Sequence, residues 1–306
     1  MISIVTTLYY SEKYIQKFYN SILRVCSNLN VDFELILVND GSPDNSLNIA
    51  VGIHKNDKKV IVIDLSKNFG HYNAILTGLK YAKGDYVFFI DSDLEEDPEN
   101  LYDFYKSIIR SDYDVIYGVQ NERRGNLVNK FTGYLFYKTI NFLTDLNLSK
   151  NICASRIMNR KYVDSLLLHN EKEVFIAGLW QITGFCQKSI PIKKESSSKS
   201  TYTFKKKINI ILNAVTSFSV KPLLYISYIG FIILFFSILY TIYIFYLNIF
   251  ESYVLSGWTS LILSIWIIGG LTISILGIIS LYLSKIFLEV KSRPLTIIKD
   301  FYGTKD

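Results

Sequence analysis

The 306-residue chain is poor in cysteine, histidine and proline. Its three cysteines, Cys26, Cys153 and Cys186, form no close pair. An odd, scattered set argues against a disulfide framework or zinc-type spacing and agrees with a reducing compartment. His54, His71 and His169 have no metal-ligand spacing. G-x-S-x-G, the P-loop and G-x-G-x-x-G are missing, so hydrolase, kinase and dehydrogenase readings lose their usual support. The start, MISIVTTLYY, has no basic region and too short an apolar stretch for a signal peptide. Charge itself is absent from two long C-terminal runs, Pro222–Phe250 and Ser252–Ser284. Each exceeds the ~20 apolar residues that cross the hydrocarbon of a bilayer.

The rest of the composition fits a soluble domain joined to a membrane hairpin. Half of the residues are hydrophobic, and the two runs account for much of the mean hydropathy of +0.23. The net charge of +6 is modest. Much of the basic excess lies at Lys193, Lys194, Lys199, Lys205, Lys206, Lys207 and Lys221 before the runs, and at Lys285, Lys291, Arg293 and Lys299 after them. The connector Glu251–Gly257 has neither Lys nor Arg. The positive-inside rule therefore predicts cytoplasmic flanks, an outside connector and a multi-pass protein of the cytoplasmic (inner) membrane with its large domain in the cytoplasm. Basic residues in this arrangement suit anionic headgroups and require no nucleic acid.

Apolar, β-rich segments predict strands at Ile2–Leu8, Glu34–Val38, Val60–Leu65, Tyr86–Ile90 and Val115–Val119. Helical segments are expected between them, at Glu12–Leu29, Ser46–Lys55, Tyr72–Ala82 and Pro98–Ile109. This alternation predicts an α/β fold with a mostly parallel sheet and helices on both faces. Ligands in such sheets sit beyond the carboxyl ends of the strands. Three polar clusters follow strands directly: Asn39-Asp40-Gly41-Ser42, Ser66-Lys67-Asn68-Phe69-Gly70 and Asp91-Ser92-Asp93. Asn126–Leu143 and Lys205–Val220 read either as interfacial amphipathic helices or as ordinary helices packed on the sheet.

Two carboxylates one residue apart can share one hard cation, and Mg²⁺ or Mn²⁺ prefers such oxygen ligands and the phosphates of a substrate. Asp91-Ser92-Asp93 is therefore the candidate metal site, although a solvated acidic turn has the same composition. Asp40 can accept from a base or a ribose, and Lys67 can meet a phosphate; turn formation and helix capping explain the same residues in structural terms.

Together these clusters resemble family 2 glycosyltransferases, which have the GT-A, Rossmann-like fold. The resemblance rests on Ile4-Val5-Thr6-Thr7-Leu8-Tyr9, NDGSPDNS (Asn39–Ser46) and LSKNFGHYNAILTGLKYAKGDYVFFIDSDLEEDPE (Leu65–Glu99). FYKTIN (Phe136–Asn141), SRIMNR (Ser155–Arg160), TSFSVKPL (Thr216–Leu223) and EVKSRP (Glu289–Pro294) resemble the polyprenyl-phosphate branch, so the likeness covers essentially the whole chain. It implies a catalytic domain at 1–204, an interfacial amphipathic helix at 205–221, transmembrane helices at 222–250 and 258–284, and a cytoplasmic tail at 285–306.

The implied reaction moves a sugar, with inversion, from a nucleotide sugar, taken as UDP-linked, to a polyprenyl phosphate for cell-envelope glycans. The implied partners are these two substrates, the membrane and further copies of the chain. By motif match Asp91 and Asp93 hold the metal and diphosphate beside Ser92. Asp40, Lys67, Thr7, Leu8 and Tyr9 line the nucleotide pocket. Lys130 and Arg156 stand on the acceptor side, and Ser200, Tyr202 and Lys206 form a loop near the membrane.

Four positions depart from the family pattern. Thr7 replaces a proline, Ser11 an acid, Gln120 an arginine, and Ala154 the aspartate often cast as catalytic base. A phosphomonoester acceptor, with a second pKa of about 6, is already largely a dianion at neutral pH and needs no such base. Asp145 and Glu173 are candidate substitutes. Two alternatives stand: a lipid-linked saccharide acceptor, and a membrane-anchored sugar-nucleotide-binding protein without activity. A processive polysaccharide synthase fits less well, because Q-x-x-R-W is missing.

Overall fold

The computed structural model describes residues 1–120, 138–144, 151–169, 171, 175–194, 212, 215–250 and 257–303. The elements run β1 (Ile2–Leu8), α1 (Ile15–Leu29), β2 (Phe33–Asn39), α2 (Ser46–Asn56), β3 (Val60–Leu65), α3 (His71–Tyr81), β4 (Tyr86–Phe89), α4 (Asn100–Ile108) and β5 (Val115–Gln120). They continue with β6 (Ile152–Asn159), α5 (Arg160–Leu166), α6 (Ile176–Ile182), β7 (Gln187–Ile192), α7 (Lys221–Phe250), α8 (Trp258–Val290) and β8 (Ile298–Tyr302).

The strands form one eight-stranded sheet in the order β7-β5-β6-β4-β1-β2-β3-β8. The pairs β1–β2, β1–β4, β2–β3 and β5–β7 are parallel, whereas β4–β6, β5–β6 and β3–β8 are antiparallel. Alternate residues of each strand enter two cores. On one face Ile2, Ile4, Leu8, Leu35, Leu37 and Phe88 meet Ile15, Phe18 and Ile22 of α1, Ile53 of α2, and Leu101 and Phe104 of α4. On the other Val5, Ile36, Val38, Phe89 and Met158 meet Ala74, Ile75 and Leu79 of α3, with Tyr162, Val163 and Leu179 of α5 and α6. Burial on both faces is why the strands read as continuous apolar runs and not as an alternation.

The expected mostly parallel α/β sheet is present, with differences at its margins. α1 and α4 begin at Ile15 and Asn100, after the expected starts, and β6, β7 and β8 extend the five expected strands. β6 mixes apolar residues with Ser155 and the buried Arg156, which obscures the strand pattern. The expected tail at 285–306 has structure: α8 runs to Val290, and residues 298–302 return to the sheet as β8.

β8 pairs with β3, as in Ile63↔Phe301 and Asp64↔Asp300. The approach to it is also bonded: Ser66 N–H donates to Ile297 O at 2.9 Å, and the Thr77 and Thr296 hydroxyls meet at 2.8 Å. α7 and α8 are long and apolar enough to cross a membrane, and their spanning windows are not buried in the protein. The Tyr282 hydroxyl of α8 donates to Ser219 O just before α7, at 2.9 Å. The expected helix 205–221 lies largely outside the described residues.

Two glycines separate close packing from propensity. A Cβ on Gly78 in α3 would collide with Val5 Cγ1 and lie 3.0 Å from Val38 Cγ2. One on Gly52 in α2 would meet nothing within 4 Å. Gly78→Ala is expected to destabilise by about 1–3 kcal/mol through overpacking. Gly52→Ala is expected to stabilise by about 0.5–1 kcal/mol through helix propensity. Unfolding midpoints of the two variants in detergent should move in opposite directions.

Candidate functional site

Parallel pairing carries the ends of β1 to β4 to one edge of the sheet. There Thr7–Tyr10, Asn39–Ser42, Ser66–Gly70 and Ile90–Glu96 converge. β6 runs antiparallel to β4, with Phe89 opposite Arg156, so Ala154 reaches the same edge. The three polar clusters therefore share one site.

Asp40 is 2% exposed and organises the β2–β3 side of the site. Its two carboxylate oxygens accept from Phe69 N–H at 2.7 Å and Gly70 N–H at 3.0 Å. Burial is the main influence on this carboxyl and raises its pKa; the two N–H groups and His71 oppose that rise. Asp40 thus grips the Ser66–Gly70 loop. Gly41 makes the approach possible: its φ is +60°, and a Cβ there would lie 2.5 Å from Asn68 N. Asn39 continues the tie by donating to Asp64 at 2.7 Å. Lys67 is exposed, with its ammonium 5.2 Å from the centre of the Phe69 ring.

The acidic turn is joined to β1 through two paths. The Ser92 hydroxyl donates to Thr7 O at 3.0 Å and lies 3.1 Å from Ser11 Oγ, so the middle residue of the motif is a buried tie. The Thr7 hydroxyl lies 3.0 Å from His71 Nδ1, and His71 Nε2 faces Asp91 Oδ1 at 3.4 Å. One neutral tautomer serves both contacts: Nδ1 accepts from Thr7 while Nε2–H faces the carboxylate. Burial lowers the His71 pKa against the pull of Asp40 and Asp93, which favours that neutral ring. Leu8 is buried in the core, whereas Tyr9 and Tyr10 are exposed and stack edge to face.

Asp91 and Asp93 fit a divalent cation. Asp91 Oδ1 is a buried oxygen that accepts no hydrogen bond, since His71 Nε2 at 3.4 Å lacks hydrogen-bond geometry to it. Burial, followed by the charges of Asp93 and Glu96, pushes the Asp91 carboxyl up to about 7. Burial also raises Asp93, although its Oδ1 accepts from Glu95 N–H at 3.0 Å. A divalent cation would satisfy the orphaned oxygen and favour ionisation of both groups. Among the described residues no group of three or more His, Cys, Asp or Glu is poised on one metal. The pair would leave other coordination positions to phosphate and water, as Mg²⁺ prefers.

The remaining acids of this turn face another way. Glu96 is 1% exposed and accepts from Ala154 N–H at 3.0 Å and Ser155 N–H at 2.8 Å. Lys194, just after β7, pairs with Glu95 at 3.2 Å and Glu96 at 3.4 Å. This tie, which residue spacing did not signal, holds the turn to β6. Arg156 is also buried, its guanidinium stacked on Trp180 at 2.9 Å from the ring centre and its Nε 3.4 Å from Ala154 O. Burial lowers its pKa to about 9, against the charges of Tyr162, Glu96 and Tyr117. The structure thus keeps Arg156 beneath the site edge, apart from Asp91 and Asp93 in its contacts. Lys130, Ser200, Tyr202 and Lys206, with Asp145 and Glu173, lie outside the described residues.

The fold and site define an α/β protein with a Rossmann-like sheet and paired carboxylates at its carboxyl edge. The chain matches the family described as Glycosyl transferase family 2 over residues 3–167. It is 44% identical over 303 residues to "Putative glycosyltransferases" of Mycobacterium tuberculosis (strain CDC 1551 / Oshkosh), covering 99% of this chain and 89% of that protein. It is 28% identical to the SfII prophage-derived bactoprenol glucosyl transferase of Shigella flexneri, over 97% of each chain. It is 27% identical to the undecaprenyl-phosphate 4-deoxy-4-formamido-L-arabinose transferase of Shewanella sediminis (strain HAW-EB3), over 98% of this chain and 92% of that one. The chain belongs to glycosyltransferase family 2.

The Glu96 tie has a measurable consequence. Glu96→Ala frees two strand N–H groups and one partner of Lys194, and is expected to cost about 2–4 kcal/mol. Lys194→Met should cost less, because Lys194 is part-exposed and Glu96 keeps its backbone donors. Denaturant unfolding of both variants checks the order.

Proposed function

We propose that this glycosyltransferase transfers a sugar from a UDP-linked donor to a polyprenyl phosphate at the cytoplasmic face of the membrane, inverting the anomeric carbon. The observation that carries the reading is Asp91 beside Asp93, with an orphaned oxygen, at the edge where Asp40 fixes the Ser66–Gly70 loop. The names of the Shigella and Shewanella relatives support the acceptor class. α7 and α8 support a lipid-borne acceptor, because each is long and apolar enough to span a bilayer.

In this mechanism the Ser66–Gly70 loop and the β1 end at Thr7–Tyr9 receive the nucleoside diphosphate. Lys67 supplies an exposed cation to its phosphates. Asp91 and Asp93 would hold Mg²⁺ or Mn²⁺, which when bound supplies charge stabilisation for the departing diphosphate. His71 positions Asp91, and Thr7 sets the tautomer of His71. A phosphate oxygen of the acceptor forms the new bond to the anomeric carbon while the bond from that carbon to the donor's diphosphate oxygen breaks. The electron pair leaves with the nucleoside diphosphate. The acceptor oxygen is already deprotonated, so no side chain has to remove a proton.

Ala154 favours this acceptor over a sugar hydroxyl. A hydroxyl needs a base at the site edge. Glu96 lies next to Ala154, but its buried carboxylate is occupied by two backbone N–H groups and Lys194.

Incubating the purified protein with undecaprenyl phosphate and a panel of nucleotide sugars should yield one lipid-phosphate sugar by mass spectrometry. Product on a lipid-linked saccharide alone would contradict the acceptor. Asp93→Ala should reduce turnover by at least ~10³-fold with an unchanged unfolding midpoint, the scale of losing a transition-state electrostatic contact. Chelation of divalent ions should also stop turnover, and added Mg²⁺ or Mn²⁺ should restore it. Gly41→Ala should raise the donor KM by about tenfold, since a Cβ there pushes the two nucleotide-side loops apart.

A further inference from the structure

α8 ends beside the first turn of α3. Its last turn and the following Lys291–Leu295 segment enclose a recess of about 170 Å³ with Asn73. That volume holds several water-sized groups. Two cations line it. Lys291 lies 4.3 Å from the centre of the Phe287 ring, and Arg293 is exposed. Among the described residues neither is paired with a carboxylate. The left-handed turn at Ser292, φ +46°, separates the two.

Asn73 ties the recess to the neighbouring loop. Its Nδ2 donates to Phe69 O at 2.9 Å, which fixes the amide orientation. The recess therefore presents two positive charges for an anion, with the Asn73 side chain as part of its wall. The phosphodiester of a lipid headgroup meets that requirement. The position, at the last turn of a helix suited to spanning a bilayer, is where such a headgroup lies.

We propose that the recess lined by Lys291, Arg293 and Asn73 binds the headgroup of an anionic phospholipid of the phosphatidylglycerol class, separately from the sugar-transfer site. The inference rests on the reading of α8 as a membrane span. It extends that reading to the donor side, because the amide of Asn73 also holds Phe69 O of the loop gripped by Asp40.

The test is lipid retention by the full chain in detergent, read by native mass spectrometry after exposure to phosphatidylglycerol, phosphatidylcholine or undecaprenyl phosphate, with inorganic phosphate as competitor. The wild type is expected to retain one phosphatidylglycerol in preference to phosphatidylcholine. Lys291→Gln/Arg293→Gln should weaken that retention by about tenfold or more, the scale of losing hydrogen bonds to a charged group. Lys221→Gln, at the other membrane flank, should retain the lipid as the wild type does. The proposal is overturned by undiminished phosphatidylglycerol retention in the double variant, by an equal loss in Lys221→Gln, by a loss in the double variant of undecaprenyl phosphate and not of phosphatidylglycerol, or by displacement with inorganic phosphate. Undecaprenyl phosphate held at the sugar-transfer site should be retained equally by the wild type and the double variant, which separates this proposal from the acceptor assignment. Recovery of the chain in the soluble fraction without detergent would instead remove the membrane reading itself.

Discussion

The grip of one buried carboxylate on a neighbouring loop sets the geometry of the site. Asp40 occupies both of its oxygens with the backbone N–H groups of Phe69 and Gly70. Hydrogen bonds to a charged acceptor are roughly twice as strong as neutral ones. This pair fixes the Ser66–Gly70 loop against the end of β2. α3 begins at the next residue, so the same contact sets where His71 starts its helix. His71 in turn spans Thr7 and Asp91. One carboxylate therefore couples the Ser66–Gly70 loop to the acidic pair. Both of its oxygens are already bonded to that loop, which makes Asp40 a scaffold of the site.

The acidic turn resolves a second constraint: four carboxylates within six residues of chain cannot all face one cleft without a countercharge. The structure divides them. Glu95 and Glu96 share the ammonium of Lys194, and Glu96 also accepts from the Ala154 and Ser155 N–H groups of β6. Among the described residues Asp91 and Asp93 have no ion pair with a Lys or Arg; burial first, then the neighbouring acids, raises their pKa values. Half of the turn thus ties the protein together, and half is left without a countercharge among the described residues. Glu96 binds the N–H of Ala154, the residue where the resembled family has its aspartate. The replacement leaves that backbone position tightly held, so the site edge keeps its shape while losing a carboxylate.

The sequence was most informative where local pattern and tertiary role coincide. β1 to β5 are apolar runs because both faces of the sheet are covered, and each polar cluster follows a strand because the chain turns at the carboxyl edge. His71 was harder to weigh, since a lone histidine lacks metal spacing; its meaning comes from Thr7, 64 positions earlier in the chain. Ser92 read as part of the recognition motif, yet its hydroxyl points back to β1. Arg156 read as a charge for the acceptor, yet it is buried on Trp180. In both cases the residue type was legible and the direction of the side chain was not: strand register sets the face of Arg156 within β6, and the turn after β4 sets that of Ser92. β8 gave no local signal as a strand of this sheet, for a short segment after an apolar helix pairs with β3 only through a contact spanning most of the chain.

That return strand changes how the C-terminal helices relate to the domain. A simple anchor would need only a tether. Here the chain leaves α8, bonds Ser66 through Ile297 and Thr77 through Thr296, and then covers the edge of β3. An open sheet edge invites pairing with another chain, so β8 also protects this one. Ser66 opens the loop that Asp40 grips at its other end. The loop is thus held from the sheet at one side and from the end of α8 at the other. Any tilt or displacement of α8 must either be absorbed within residues 291–296 or be felt at the loop. The left-handed Ser292 provides a compact turn there, and Pro294 fixes one backbone angle, which limits how much that short segment can absorb. The geometry of the apolar helices and that of the Ser66–Gly70 loop are consequently one mechanical problem, solved by the twelve residues of chain from Lys291 to Tyr302.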